Sequence, residues 1–197
     1  MNRAHSSPVR RGFTLIELLV VIAIISVISG LVIPGILEAR KRAAIIKCAS
    51  NLKQIYTFAL LHSEHRGRGA FPIGSGKAPS AHESLGELFR YESKNLDPEV
   101  LVCDASDAAK PEVARKGESF TLAAESCPFA WTMRRLKNSA DRQPLGSDKY
   151  VDGFVDEDGS HSGHSGGMNV LYTDGSVVFV MAEELDPETM LPPGLTR

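Results

Sequence analysis

One long apolar stretch constrains this chain more than any other feature. Residues 13–33 contain a single charged side chain, Glu17, and the stretch is preceded by three arginines and no acidic residue. At 1.5 Å per residue, a helix of about 21 residues spans the roughly 30 Å hydrocarbon core of a bilayer. The stretch therefore predicts one membrane-spanning helix, and the arginines predict a cytoplasmic N-terminus. A secretory signal peptide is the alternative interpretation.

The residues after Pro34 favour a membrane anchor over a signal peptide. No small-x-small cleavage site ends the apolar stretch, and a helical pattern continues instead. Apolar residues recur at the spacing of one helix face, at Leu37, Ala44, Cys48, Leu52, Ile55 and Ala59. We expect an amphipathic helix over 36–66, ending near His65, with a kink or local melting at Gly30, Pro34 and Gly35.

The remainder of the chain, 67–197, predicts a globular head with both helix and strand. "MNVLYT-DG-SVVFV" is a C-terminal hairpin pattern, since Asp174-Gly175 suits the positive φ angles of a type I′ turn. "ESCPFAWTM" indicates another strand, and residues 84–107 indicate a short helix, a loop and a strand over 100–102. Pro192-Pro193-Gly194 predicts a loose tail. The fold class is α+β, with a long helix packed on a small antiparallel sheet.

The N-terminal sequence resembles that of type IV pilins and type II secretion pseudopilins. The likeness is carried by Arg11-Gly12-Phe13-Thr14-Leu15-Ile16-Glu17, the short basic leader and Pro34. It implies a pilin fold, a leader peptide over 1–12 and an assembly helix over 13–35. It also implies that a prepilin peptidase cuts between Gly12 and Phe13 and methylates the new amine. Glu17 and Pro34 are implied to serve assembly.

Glu17 has a physical reason to be retained in such a helix. A carboxylate in a membrane span costs roughly 2.5–3.5 kcal/mol even on the lenient insertion scale. Cleavage creates a positive amine at Phe13, which a neighbouring subunit could place beside Glu17. Removing one partner of a buried pair costs about 3–5 kcal/mol, so this pair selects the axial register of subunits. The alternative is a carboxylate that reaches water at the membrane edge.

A second resemblance lies near the C-terminus. His164, nine residues, then Asp174-Gly175 resembles the processing-associated motif of a group of pseudopilin-like proteins. Two earlier segments, "CASNLKQI" (48–55) and "GAFP" (69–72), also resemble these proteins. Asp174 and Gly175 have a sufficient structural role in the turn. An extended strand places His164 up to about 30 Å from Asp174, so we favour separate roles over a shared site.

The three cysteines permit one disulfide and leave one thiol over. Cys48 lies on the apolar helix face and Cys103 ends an apolar segment, so a bridge between these two would tie the head to the helix. Three buried thiols that include Cys127 are the alternative. No two cysteines have the short spacing typical of zinc ligands, and zinc is therefore not expected.

The segment 152–167 concentrates acidic residues among glycines. Asp152, Asp156 and Asp158 are candidate oxygen ligands for Ca²⁺, although the terminal glutamate of an EF-hand loop is missing. A solvated acidic loop is the alternative. His161 and His164 are candidate transition-metal ligands in the same segment.

These features favour a structural subunit. The formal net charge is −2, so nucleic acid is not expected as the main partner, and no nucleophile elbow, phosphate loop or HExxH motif indicates an enzyme. We expect a single-pass inner-membrane protein with a periplasmic head, processed by prepilin peptidase and polymerised with other pilins on an inner-membrane assembly platform. The filament is a type II secretion pseudopilus or a type IV pilus. Alternatives are a minor pilin that binds a ligand or cargo, and a membrane-tethered hydrolase.

Overall fold

The structure is a computed structural model that describes residues 13–74, 79–92, 97–103, 122–124, 127–148, 164, 166–185 and 191–196. The chain divides into two compact units, an N-terminal unit, Met1–Arg40, and a C-terminal unit, Lys41–Arg197. The described part contains helices α1 (Leu15–His65) and α2 (Ala81–Glu92). Its strands are β1 (Phe129–Thr132), β2 (Pro144–Asp148), β3 (Gly167–Tyr172), β4 (Val177–Met181) and β5 (Leu195–Thr196).

Helix α1 ends where the sequence predicts, at His65, but it contains no break at Pro34. The predicted local melting at Gly30, Pro34 and Gly35 is therefore wrong. A proline removes one backbone hydrogen bond and crowds the carbonyl four residues earlier, which here belongs to Gly30. The neighbouring turns keep their own hydrogen bonds, and transmembrane helices tolerate such an isolated loss.

The C-terminal unit is built on an antiparallel sheet with the strand order β4-β3-β2-β1-β5. The predicted hairpin forms β3 and β4, and the predicted aromatic strand forms β1. Together with the helix that packs on this sheet, these elements confirm the α+β prediction.

The hairpin turn differs from the predicted type I′ turn. Its Gly175 has a φ of 81°, but Asp174 is not among the described residues with positive φ. The Gly175 N–H donates to the Tyr172 carbonyl oxygen, and the Tyr172 N–H donates to the Ser176 carbonyl oxygen. This is the longer hairpin loop in which one left-handed glycine follows the turn, and it leaves Asp174 free to cap the loop with its side chain.

The predicted strand over 100–102 is also wrong, because Pro98–Leu101 is a 3₁₀ helix. The carboxylate of Asp97 accepts the Glu99 N–H, and Pro98 occupies the first helical position. An N-cap aspartate followed by proline starts a helical turn, which overrides the β-propensity of the two valines.

The sheet buries side chains on both faces. One face packs against α1 and α2 in the main core. Helix α1 contributes Leu52, Ile55 and Ala59 to this core, α2 contributes Leu85, Leu88 and Phe89, and β1 contributes Phe129 and Trp131. Burial on the predicted apolar face of α1 begins at Cys48, whereas Leu37 is exposed. The opposite face packs Ala130, Met168 and Val170 against Leu185, Leu191 and Leu195.

The C-terminal segment is part of this second core. Leu191 and Leu195 are buried, β5 pairs with β1, and the Gly194 carbonyl accepts the Met133 N–H. The predicted loose tail at Pro192-Pro193-Gly194 is therefore wrong. The burial of two leucines outweighs the turn signal of the prolines, since each fully buried leucine contributes about 1.5–3 kcal/mol.

A fragment of residues 41–197 is expected to fold by itself as a soluble monomer. This fragment is one compact unit with its own two-sided core. Circular dichroism with a cooperative thermal transition, together with a monomeric mass in sedimentation, would agree. A fragment that aggregates, or that needs residues 13–40 to fold, contradicts this expectation.

Candidate functional site

The first candidate site is the beginning of α1. Phe13 is 74% exposed, and the apolar side chains that follow it in the N-terminal unit are exposed as well, as is Pro34. Gly12 lies outside the described residues. By length and composition α1 is the one helix in the described part that could cross a membrane. Exposed apolar surface on this scale marks a membrane or protein interface.

Glu17 forms a capping box with Thr14. Its Oε2 accepts the Thr14 N–H at 2.8 Å and the Thr14 hydroxyl at 2.6 Å, while the Glu17 N–H donates to Thr14 Oγ1 at 3.3 Å. These bonds satisfy N–H groups that the first turn of a helix leaves without partners. The carboxylate thus has a role within its own helix that sequence reasoning missed, although the spacing Thr14-x-x-Glu17 is the signal for it.

A second candidate site is buried in the C-terminal unit. Cys48 of α1 and Cys103 form a disulfide with a Cα–Cα distance of 5.5 Å. The Cys103 Sγ lies 3.7 Å from Nε2 of His164, and this nitrogen lies 3.1 Å from Oδ2 of Asp148. All four side chains are buried. Sequence reasoning paired the cysteines and singled out the histidine, but it did not bring these three residues together and it missed Asp148.

Asn169 connects this buried cluster to α1. Its backbone N–H and its side-chain Nδ2 donate to Asp148 Oδ2 at 2.9 and 2.7 Å, and Nδ2 also donates to the Ile45 carbonyl at 3.0 Å. Nearby, Asn51 of α1 donates to the Val102 carbonyl next to the disulfide. Four residues separate His164 from Asn169, so both belong to the segment that the C-terminal motif spans. The position of Asn169 inside this motif is the sequence feature that could have identified it as part of the site.

Asp174 and Gly175 lie at the other end of β3 and have a structural role there. Asp174 accepts from the Ser176 N–H and hydroxyl, and its Oδ2 is 3.3 Å from Arg142 Nε. The Ser176 hydrogen bonds hold the pKa of the Asp174 carboxyl below its usual value, with a smaller contribution from Arg142. These partners differ from those of His164, and each end of β3 therefore has its own contacts.

The hairpin loop contacts α1 through Tyr56. The Tyr56 hydroxyl donates to the Thr173 carbonyl at 3.1 Å, and a Cβ on Gly175 would lie 2.6 Å from the Tyr56 ring. Only glycine permits this approach with a positive φ. Burial, and secondarily the charge of Asp174, raises the pKa of Tyr56. The motif from His164 to Gly175 thus contacts α1 through Asn169 and through the loop.

The calcium prediction concerns residues outside the described part of the chain. Asp152, Asp156 and Asp158 belong to the segment 149–163, as does His161. Ca²⁺ binding by the three aspartates therefore remains a prediction from sequence.

Comparison with known proteins gives matches to the N-terminal part of the chain. A family model described as the prokaryotic N-terminal methylation motif matches residues 8–33. The Type IV major pilin protein PilA of Myxococcus xanthus is 39% identical over 57 residues, which cover 29% of this chain and 26% of that protein. The Type IV wide pilus major component PilA4 of Thermus thermophilus is 64% identical over 33 residues, which cover 17% of this chain and 25% of that protein.

The N-terminal segment of the chain is thus similar to that of type IV pilins and carries the N-terminal methylation motif. The chain spans about a quarter of the length of each of these curated relatives. No solved structure gives a significant match. None of the matches indicates an enzyme family.

Proposed function

We propose that this protein is a structural subunit of a filament, either a type IV pilus or a type II secretion pseudopilus. The observation that carries the proposal is the methylation motif over 8–33 at the start of a helix whose apolar side chains are exposed in the N-terminal unit. Such a helix requires lipid or the helices of other subunits around it. Storage in the membrane followed by polymerisation provides each environment in turn.

Processing precedes assembly in this proposal. A prepilin peptidase cuts after Gly12 and methylates the amine of Phe13, which keeps its positive charge. Glycine suits the cleavage position because it lets the chain enter a protease cleft in an extended conformation. The exposure of Phe13 is consistent with access to this bond.

Assembly then changes the partner of Glu17. In one subunit its carboxylate accepts from Thr14, which satisfies it before polymerisation. In the filament the amine of a neighbouring Phe13 approaches this carboxylate among apolar helices. An ion pair in such surroundings is much stronger than in water. A subunit at the wrong axial position leaves the carboxylate and the amine without each other as ionic partners, so that position is less stable.

The proposed location follows from the arginines and the apolar helix. The N-terminus faces the cytoplasm, α1 crosses the inner membrane near its start, and the C-terminal unit lies in the periplasm. Other pilins and an inner-membrane assembly platform are the partners. The gene neighbourhood distinguishes the two filaments: a secretin with a secretion ATPase supports a pseudopilus, and a retraction ATPase supports a pilus.

Intact mass spectrometry of the protein from its native host tests the processing step. We expect the loss of residues 1–12 from the 197-residue chain and one added methyl group on Phe13. A Gly12→Val variant is expected to stay uncleaved, since the branched side chain obstructs the extended approach to the protease. A mature N-terminus beyond Ile33 would instead identify a signal peptide and refute the proposal.

A further inference from the structure

The buried cluster of Cys48, Cys103, Asp148 and His164 is a set of four metal-ligating side chains. One ligand atom from each of them lies within 4.8 Å of all the others. We propose that, when the two cysteines are reduced, these four side chains bind one Zn²⁺, and that oxidation to the disulfide releases it. The site is distinct from the N-terminal motif, and the inference does not depend on filament assembly.

The distances in the cluster suit a tetrahedral zinc ion. Zinc bonds of about 2.0–2.3 Å to nitrogen, oxygen and sulfur place neighbouring ligand atoms about 3.3–3.8 Å apart. The Cys103 Sγ to His164 Nε2 distance is 3.7 Å, and the His164 Nε2 to Asp148 Oδ2 distance is 3.1 Å. Reduction lets the two sulfur atoms separate to the roughly 3.8 Å that two thiolates on one zinc ion require.

An unsatisfied atom also points to a ligand. Oδ1 of Asp148 is buried and has no hydrogen-bond partner among the residues that the structure describes. A buried polar atom without a partner costs about 1–3 kcal/mol, and more when it carries charge. A cation coordinated by this carboxylate compensates its buried charge. Two thiolates, one imidazole and one carboxylate in a closed site favour zinc over magnesium or calcium.

Asn169 holds the Asp148 carboxylate in place, as residues that hydrogen-bond to metal ligands commonly do. Both of its hydrogen bonds to Asp148 go to Oδ2, and its side chain also donates to the Ile45 carbonyl of α1. The ligands come from four separate segments: Cys48 from α1, Cys103 after the 3₁₀ helix, Asp148 from the end of β2, and His164 before β3. Zinc would join these segments as the disulfide joins two of them.

The change between the two forms balances. A dithiol gives two electrons and two protons to the Cys48–Cys103 disulfide, which becomes two thiols while the dithiol becomes a disulfide. Zinc binding then releases both thiol protons as the thiolates coordinate. In the reverse direction a disulfide oxidant takes two electrons from the thiolates and two protons from solvent and becomes a dithiol, while the Cys48–Cys103 bond forms, both zinc–sulfur bonds break and Zn²⁺ leaves. His164 coordinates through Nε2 and carries its ring proton on Nδ1, so its hydrogen bond to Asp148 is replaced by metal coordination.

The test uses the full chain in detergent, reduced with dithiothreitol and desalted without oxygen, beside an oxidised sample. We expect one Zn²⁺ per reduced chain by elemental analysis and none per oxidised chain. Co²⁺ in the reduced chain is expected to show tetrahedral ligand-field bands and thiolate-to-metal charge transfer. Equal zinc in both samples, or a cobalt spectrum without thiolate charge transfer, overturns the proposal whether or not any variant folds.

Two variants and two controls assign the ligands. His164→Ala and Asp148→Asn are each expected to weaken zinc binding by at least about 10–100-fold. A loss of that size is typical when a residue that hydrogen-bonds to a metal ligand is changed, and loss of the ligand itself should cost no less. Two control variants should leave zinc binding unchanged. His65→Ala removes an exposed histidine at the end of α1, and Cys127→Ala removes the cysteine outside the disulfide. Circular dichroism checks that each variant is folded. A folded His164→Ala chain with wild-type zinc affinity refutes the assignment.

Discussion

Replacing Glu17 with alanine is expected to abolish filament assembly while leaving membrane insertion and leader cleavage intact. Insertion should be unchanged or improved, because the variant removes a carboxylate that costs roughly 2.5–3.5 kcal/mol in the span. Assembly should fail, because the Phe13 amine of a neighbour then enters the apolar bundle without a counter-charge, at about 3–5 kcal/mol per subunit. Glu17→Asp keeps the charge with a shorter reach, and a partial defect is expected. The measurement compares processed subunit in the membrane with sheared filament.

Thr14→Ala is the matched control, because it removes the hydroxyl that makes two of the three capping bonds and keeps both the backbone N–H of residue 14 and the Glu17 carboxylate. Loss of a cap costs about 1 kcal/mol, well below the cost of an unpaired buried charge. The Thr14→Ala chain is therefore expected to assemble. An equal defect in Thr14→Ala and Glu17→Ala would mean that the carboxylate serves the capping box, and normal filaments from Glu17→Ala would refute its role in assembly.

Replacing Trp131 with alanine is expected to destabilise the C-terminal unit by about 3–5 kcal/mol, a large part of the stability of an ordinary domain. The ring is fully buried, and it lies over Gly146 of β2, where a Cβ would be 2.7 Å from Trp131 Cε3. The Trp131 Nε1–H also donates to the Pro72 carbonyl at 2.9 Å. Urea unfolding of residues 41–197 measures the change.

Two further variants separate the contributions of this side chain. Trp131→Phe keeps a ring but leaves the Pro72 carbonyl without its donor, so about 1–3 kcal/mol should be lost. Met133→Ala, close in sequence and 43% exposed, should change stability by no more than about 0.5 kcal/mol. If Trp131→Ala costs no more than Met133→Ala, the ring does not anchor the core as its burial indicates.

Local signals predicted most of the secondary structure correctly and failed where a second local signal or a distant contact competed. The end of α1 and the strands β1, β3 and β4 follow from periodicity and turn residues. At residues 100–102, valine-rich composition indicated a strand, but the Asp97-Pro98 cap starts a 3₁₀ helix. At Pro192-Pro193-Gly194, turn residues indicated a loose tail, but Leu191 and Leu195 gain burial against the sheet. That burial depends on residues far away in sequence.

The sequence alone is sufficient to identify the membrane-spanning length of the helix and the methylation motif, because both are properties of contiguous residues. It also determined the hairpin, whose two strands are neighbours along the chain. By contrast, the convergence of Cys48, Cys103, Asp148 and His164 is visible only in the folded chain. Their spacing along the chain gave no indication of zinc, since short ligand spacings describe sites built from one or two local segments. Packing of a sheet against α1 brings four separate segments together, and that proximity does not depend on their separation in sequence.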